Sequence, residues 1–402
     1  MVAPYSPPDG LTVIPDPDPR SDAEIISALT SHQPVTADKN VWAFWHSGWA
    51  NLRPWCQRNI INWARRLGPQ WTVRVLDDVA GSENHVSRFV PASYFPDAFN
   101  TRTMVGPPQH VSDLLRLPLL YIHGGVWMDA GMILLRHLDD ICWRAIKDPS
   151  SPYEMAGILM PLRAEAGTML NGFIATKRGN GMVKRWHDVY RKLWEGKTSA
   201  EGFHKHPLLA HLPLLQVQIE KLGCPPLLIP TEALGDYLAH FVAFERLHRL
   251  KDPSDGFDGA DYFANKIFLL KAEDHLYYAQ RITGWDGRKQ YNMLATKVSS
   301  SPTTTEGYAE AKDFVDSVLQ NSVMMKLSHG PPCGLENLAT IWDEEQHRAD
   351  DIAEDTFAGY LRYGSVHWQQ TATVSPIRLL RHAQVYAAGV LEAISPESRI
   401  CQ

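Results

Sequence analysis

The chain has 402 residues, of which 44% are hydrophobic and 21% are charged, and its formal net charge is −6 at pH 7. This composition is that of an ordinary globular protein, and without a long basic run the charge balance gives no sign of nucleic-acid binding, although a local basic patch stays open. The five cysteines are widely spaced and form no Cys-x-x-Cys pair, so we expect reduced intracellular thiols and no disulfide or zinc framework.

The N-terminal segment, residues 1–39, is rich in proline and aspartate. Such a composition buries little apolar surface, so it predicts a disordered arm. The segment has no apolar targeting stretch, and nowhere does the chain contain 18 consecutive apolar residues. We therefore expect a cytoplasmic protein with no membrane partner.

From residue 40 onwards, strand and helix patterns alternate. VWAFWH (41–46) and WTVRVLDD (71–78) are typical of buried strands, and PWCQRNIINWARRLG (54–68) between them has helical spacing. EMAGILM (154–160) and NGFIATK (171–177) are later strand candidates. The alternation predicts an α/β fold with a mostly parallel, Rossmann-like sheet flanked by helices, and a ligand site at the carboxyl ends of its strands.

The domain organisation follows from the same pattern. We expect one α/β domain over residues 40–310, in which the loop-rich segment from about 250 to 310 forms an insertion or lid. Residues 311–402 are expected to form a helical C-terminal part packed on that domain.

The most informative stretch is HVSDLLRLPLLYIHGGVWMDAGMILL, residues 110–135. It predicts a helix capped by Ser112, a two-glycine turn that ends the helix, and an apolar strand that leads to Asp129. A carboxylate in so apolar a setting is costly unless something binds it.

This stretch resembles the core signature of the sugar transferases with an Asp-x-Asp motif and of the capsular-polysaccharide-synthesis proteins, which have the GT-A nucleotide-sugar transferase fold. The resemblance implies a donor cleft beside Asp113 and Arg116, and an acidic strand end at Asp129 that holds a divalent metal, Mn²⁺ or Mg²⁺. It also places Asn171 at the substrate, although a turn asparagine is the plainer alternative. One feature departs from the family: the motif is reduced to Asp-Ala-Gly, so the second metal-directed carboxylate is missing.

A second acidic pattern lies near the C-terminus, where Asp350, Asp351 and Glu354 form Asp-Asp-x-x-Glu. On a helix these carboxylates would share one face, and clustered carboxylates suit acid–base chemistry or the binding of a cationic substrate. The plain alternative is a solvated acidic helix start.

The acidic pattern also resembles the motif of the fungal arginine-containing cyclodipeptide synthases. That resemblance implies that Asp350, Asp351 and Glu354 are catalytic and that aminoacyl-tRNA, including arginyl-tRNA, is the donor for a cyclic dipeptide of secondary metabolism. It implies no firm cofactor and no DNA partner, with downstream biosynthetic enzymes as further partners.

A transfer RNA donor requires a basic surface. The best candidate is the helix predicted over residues 181–196, whose basic side chains are those of Lys184, Arg185, Arg191 and Lys192. The alternative is an ordinary amphipathic surface helix.

Three hypotheses follow from these patterns. The first is an aminoacyl-tRNA-dependent synthase on a GT-A-like scaffold, which we favour at this point. The second is a cytosolic glycosyltransferase that uses a nucleotide sugar, with Asp129 as the surviving metal ligand. The third is a binding protein that keeps the fold without the activity.

Overall fold

The structure is a computed structural model of the whole chain. It describes residues 5–15, 17–163, 168–217, 223, 226–299, 307–329, 334–379, 384–395 and 398–401.

Fourteen strands are present in the described residues. They are β1 (Leu11–Val13), β2 (Asn40–Phe44), β3 (Thr72–Leu76), β4 (Gly125–Met128), β5 (Met132–Leu134), β6 (Met155–Met160), β7 (Thr168–Thr176), β8 (Leu250–Asp252), β9 (Phe257–Asp258), β10 (Ile267–Lys271), β11 (Met324–Lys326), β12 (Trp368–Gln370), β13 (Gln384–Ala387) and β14 (Arg399–Cys401).

The α-helices of the described residues are mostly short. They are α1 (Asp22–Thr30), α2 (Pro54–Leu67), α3 (Asp97–Asn100), α4 (Gln109–His123), α5 (Arg144–Lys147), α6 (Gly181–Leu193), α7 (Thr231–Tyr237), α8 (Ala239–His248), α9 (Gly259–Asn265), α10 (Ala272–His275), α11 (Tyr278–Ile282), α12 (Gly287–Ala295), α13 (Tyr308–Asn321), α14 (Leu338–Asp343) and α15 (Phe357–His367).

A six-stranded sheet forms the centre of the molecule, with strand order β10-β6-β7-β4-β2-β3. Its pairings are parallel for β10 with β6, β2 with β3 and β2 with β4, whereas β7 runs antiparallel to both of its neighbours. All nine residues of β7 are buried, as expected for a strand covered on both faces. The predicted α/β fold with a large sheet flanked by helices is confirmed.

The segment from 250 to 310 differs from the expected insertion or lid. Its segment Ile267–Lys271, four apolar residues followed by a lysine, supplies β10, which extends the central sheet beside β6. So short an apolar run between polar loops gives too weak a periodic signal to be recognised as a sheet strand. Residues 300–306 lie outside the described residues.

The N-terminal segment also differs from the expected disordered arm. Strand β1 pairs antiparallel with β12, and α1 begins with a capping box in which Ser21 and Glu24 satisfy each other's backbone N–H groups. Ile25 and Leu29 of α1 are buried. The sequence contains the signal for this helix start, a serine followed three residues later by a glutamate and then by apolar residues. The high proline and aspartate content led us to predict disorder instead.

The C-terminal part packs on the same body as the central sheet. Helix α15 lies against α2, where the Arg66 guanidinium donates to the Ser365 carbonyl at 2.6 Å. Strand β11 pairs antiparallel with β5, which follows β4 in the chain. This pairing brings Lys326 of the C-terminal part to the end of the central strand β4. The domain division at residue 310 stays a prediction.

Three parallel strands, β2, β3 and β4, present their carboxyl ends at one edge of the sheet. Helix α4 leads into β4, and β7 flanks β4 on its other side. In the described part of the chain, no helix is both long and apolar enough to cross a membrane.

Candidate functional site

Helix α4 carries the first two residues of the site. It begins at Gln109, one turn earlier than predicted, so Ser112 lies inside the helix and does not cap it. Asp113 and Arg116 are one turn apart and both are buried. The Arg116 guanidinium is 2.6 Å from the Asp113 carboxylate and donates to the Ser112 hydroxyl at 2.9 Å. These contacts fix Arg116 on the side of α4 that faces β4.

Asp129 follows directly after β4. Its backbone N–H donates to the Gly172 carbonyl of β7 at 2.9 Å, and its carboxylate accepts from the Trp127 indole at 3.0 Å. Arg116 lies over the Trp127 ring at 4.9 Å from the ring centre and 3.5 Å from the Asp129 carboxylate. The strand end is therefore tied to the helix by charge and by a cation–π contact.

Lys326, the last residue of β11, completes the charge pattern. Its ammonium group lies 2.8 Å from the second oxygen of Asp129. Burial lowers the pKa of Lys326, but the Asp129 carboxylate, with the nearby Tyr277, raises it, and the net pKa is raised. For Asp129, burial raises the pKa, but the positive charges of Lys326 and Arg116 lower it, and the net pKa is lowered. Both groups are therefore charged at neutral pH.

Asn171 of β7 connects Asp113 to a buried histidine. Its amide nitrogen donates to the Asp113 carboxylate at 2.9 Å and lies 3.1 Å from Nδ1 of His240, while its backbone carbonyl accepts from Arg116 at 2.5 Å. Because Nδ1 of His240 accepts, the ring proton is assigned to Nε2. Burial lowers the pKa of His240 to about 3, so this imidazole is neutral.

We call Asp113, Arg116, Asp129, Asn171 and Lys326 the strand-end cluster. The sequence singled out the first four of these residues, and the structure brings them together. Lys326 was missed, because it lies almost 200 residues beyond Asp129 in the chain. The one available signal was a lone lysine in the apolar run Val-Met-Met-Lys-Leu.

Two glycines make the close packing of the strand-end cluster feasible. A Cβ atom on Gly172 would lie 2.7 Å from the Asp129 carboxylate and 2.9 Å from the Lys326 ammonium. A Cβ atom on Gly131 would lie 2.4 Å from the Leu327 carbonyl oxygen. Gly131 is the position where the sequence lacks the second carboxylate, and the chain after β11 leaves no room for a side chain there.

The strand-end cluster does not fit a divalent metal. In the residues that the structure describes, no three His, Cys, Asp or Glu side chains are grouped so that they could hold a metal ion. Asp129 is the carboxylate at this strand end, and both of its oxygens already face cations. A divalent cation at a diphosphate is held by one or two carboxylates together with phosphate and water oxygens, and here the carboxylate expected to bind it is already paired with two cations.

A cavity of about 330 Å³ lies elsewhere, beside the C-terminal end of α6. Its lining includes Asp97, Arg191 and Glu195, and no residue of the strand-end cluster. This cavity is lined by both acidic and basic residues.

Known proteins resemble this chain along nearly its whole length. The family model of the capsular polysaccharide synthesis protein matches residues 20–207. The O-glycosyltransferase braB of Annulohypoxylon truncatum is 52% identical over 394 residues, which are 96% of this chain and 94% of that protein. The glycosyltransferase afumC of Aspergillus fumigatus is 46% identical over 380 residues, 93% of this chain and 97% of that protein. The O-glycosyltransferase PaGT of Phomopsis amygdali is 40% identical over 382 residues, 93% of each chain.

The chain belongs to this family of glycosyltransferases. Among solved structures, the PaToxG glycosyltransferase matches 43% of this chain and 67% of its own chain at 18% identity, with a TM-score of 0.28.

Membership of this glycosyltransferase family overturns the favoured hypothesis. The interpretation as an aminoacyl-tRNA-dependent cyclodipeptide synthase is wrong, because relatives at 40 to 52% identity are named glycosyltransferases. The predicted partner, aminoacyl-tRNA including arginyl-tRNA, is therefore also wrong. The cytoplasmic location and the downstream enzymes stay predictions.

The carboxylates of the Asp-Asp-x-x-Glu pattern are not grouped on one helical face as expected. Residues Asp350–Ile352 form a short 3-10 helix, and Glu354 lies beyond its end and is exposed. Asp351 is buried between Arg58 at 2.5 Å and Arg362 at 2.6 Å, whereas Asp350 accepts from the Tyr291 hydroxyl at 2.7 Å. The three carboxylates do not share a helical face, because α15 begins only at Phe357, and Asp350 and Asp351 have separate partners.

The basic helix α6 is an amphipathic surface helix with paired charges. Lys184 contacts Asp188 at 2.5 Å, Arg191 donates to the Ser93 carbonyl at 2.9 Å, and Arg185 and Lys192 form ion pairs with Asp255 and Glu195. Its apolar side is buried. Acidic groups thus pair with three of the four basic side chains, and Arg191 is held by a backbone carbonyl.

Proposed function

We propose that this protein is an O-glycosyltransferase that takes a sugar from a nucleotide-sugar donor bound at the carboxyl ends of β2, β3 and β4. The observation that carries the proposal is the strand-end cluster, a buried set of ordered charges at the position where sheets of this type bind ligands. The printed names of two relatives, both O-glycosyltransferases, support a hydroxyl group as the acceptor.

The reaction sets the demand on this site. The acceptor oxygen forms a bond to the anomeric carbon, and the bond from that carbon to the donor diphosphate breaks with its electron pair kept by the diphosphate. The hydroxyl proton passes to water. Because negative charge builds up on the leaving diphosphate, fixed positive charge nearby lowers the barrier.

The residues of the strand-end cluster suit different parts of such a donor. Asp113 and Asn171 offer a carboxylate and an amide to sugar hydroxyls, and their existing bonds to Arg116 and His240 hold them in place. Buried polar groups of this kind discriminate strongly between sugars, because a missing hydroxyl leaves them unpaired. Asp129 holds the two cations in position at the strand end.

The experiment is a donor screen with the full-length protein. UDP-sugars and GDP-sugars are incubated with it, and release of the nucleoside diphosphate is followed in the absence and presence of small phenolic and alcoholic acceptors. We expect release from at least one donor. Asp129→Asn should reduce it by about a hundredfold, since one charge-assisted contact in an active site is worth about 3 kcal/mol.

The matched control is Glu354→Gln, which makes the same chemical change at an exposed carboxylate. It should leave donor turnover unchanged. No turnover and no binding of any nucleotide sugar by folded wild-type protein would refute the proposed function.

A further inference from the structure

The strand-end cluster lacks a second carboxylate that could help to hold a metal ion beside Asp129, and it contains two cationic side chains, Arg116 and Lys326. A divalent cation at a diphosphate supplies two positive charges and polarises the leaving group. Here Arg116 and Lys326 both lie against the Asp129 carboxylate, and Arg116 is also paired with Asp113 at 2.6 Å. Lys326, whose one carboxylate partner in the described part of the chain is Asp129, therefore places a positive charge where a metal would otherwise bind.

The position of the Lys326 ammonium is fixed by its surroundings. In the β11–β5 pairing Lys326 stands opposite Met132. Its backbone N–H donates to the Leu276 carbonyl at 3.0 Å, and its carbonyl accepts from the Gln280 amide at 2.6 Å. Gly172 leaves the space that the ammonium group occupies. A lysine side chain loses most of its conformational freedom before a ligand arrives, which favours binding.

The space for a second carboxylate is closed. Gly131 stands where the Asp-x-Asp motif has its second aspartate, and the Leu327 backbone lies against it, with the Leu327 N–H donating to the Gly131 carbonyl at 2.7 Å. The same short segment thus brings Lys326 to Asp129 and blocks the position of a second ligand.

The cluster is partly exposed to solvent. The Asp129 side chain is 27% exposed and that of Lys326 is 18% exposed, whereas Arg116 is 4% exposed. Of the two cations, Lys326 is thus the one that a diphosphate from solvent can reach, beside Asp129, while Arg116 lies behind it.

We propose that Lys326, backed by Arg116, takes the place of the divalent cation, so that donor binding and sugar transfer in this enzyme require no metal. The inference rests on the proposed function. In the reaction, the Lys326 ammonium keeps its proton and donates hydrogen bonds to the diphosphate oxygens as the bond to the anomeric carbon breaks.

The test measures binding of UDP and GDP to the full-length protein by calorimetry, first with EDTA and then with Mn²⁺ or Mg²⁺. For the better-bound nucleotide we expect dissociation constants that agree within about twofold. Lys326→Met should weaken binding by about ten- to a hundredfold, and added Mn²⁺ should not restore it. Lys326→Arg, which keeps the charge, should retain most of the binding.

Lys312→Met is the matched control, since Lys312 also pairs with an aspartate but lies on the surface of α13. Thermal melting shows whether each variant is folded, and the wild-type comparison stands even if Lys326→Met does not fold. Nucleotide binding or donor turnover that requires Mn²⁺ would overturn the inference and leave the glycosyltransferase intact. Equal binding by folded Lys326→Met would overturn it as well. Failure of every nucleotide and donor under both conditions would instead refute the proposed function.

Discussion

Asp351 is a buried carboxylate whose contacts in the structure are ion pairs with two arginines. It is fully buried, and Arg58 and Arg362 both donate to it. Breaking a buried ion pair on one side leaves an uncompensated charge, which costs about 3–5 kcal/mol. The residue therefore belongs to the structure of the contact between α2 and the C-terminal part.

We accordingly predict that Asp351→Ala lowers the free energy of unfolding by about 3–5 kcal/mol. Urea unfolding followed by circular dichroism measures this change, with Glu354→Gln as a control that should be neutral. An Asp351→Ala variant that is as stable as wild type but inactive would show that the carboxylate has a direct catalytic role.

His240 makes the folded protein sensitive to acid. Burial lowers the pKa of His240 to about 3, whereas an unfolded chain has a histidine pKa of about 6.5. Between these values the unfolded state binds a proton that the folded state excludes. Stability therefore falls as the pH drops below the unfolded value.

The prediction is that His240→Gln loses less stability on acidification than wild type does. Between about pH 7 and about pH 5 the difference should be about 2 kcal/mol for one such histidine. Urea titrations at both pH values measure it. His187, whose pKa burial also lowers to about 3, is present in both proteins and cancels. An identical pH dependence for the two proteins would mean that His240 titrates normally.

At the scale of elements, the approach of β11 to the turn after β4 decides where Lys326 lies. Gly131→Ala would place a methyl group 2.4 Å from the Leu327 carbonyl, so β11 must move. We expect a lower melting temperature and nucleotide binding weakened by about tenfold. The control is Gly181→Ala, where the added methyl meets the flexible end of Arg185 at 3.0 Å. If Gly131→Ala binds nucleotide as well as wild type does, the packing of β11 against Gly131 does not determine nucleotide binding.

Local patterns were sufficient for the elements that carry strong periodicity. The strands around residues 41–46 and 71–78 and the helices α2, α4 and α6 could be predicted, because apolar spacing and glycine stops lie within each segment. Three of the four members of the strand-end cluster expected from sequence lie within residues 113–129. The role of Lys326 could not be predicted, because its partner Asp129 is 197 residues away in the chain. The same holds for the contact of Asp351 with Arg58 of α2, which is 293 residues away.

At the scale of the whole molecule, the two predicted parts of the chain share one site. Asp113, Arg116, Asp129 and Asn171 come from the α/β part, whereas Lys326 comes from the C-terminal part. The C-terminal part also covers α2 through α15 and joins the N-terminal strand β1 through β12. The relatives match over both parts, which is consistent with a catalytic unit that needs the full length.

The most direct measurement is a crystal structure of the full-length protein grown with UDP and EDTA, or with GDP if that nucleotide binds better. The account predicts the diphosphate at the carboxyl ends of β2, β3 and β4, with an oxygen about 3 Å from the Lys326 ammonium. A nucleotide seated in the 330 Å³ cavity beside α6, with Lys326 still paired only to Asp129, would contradict it.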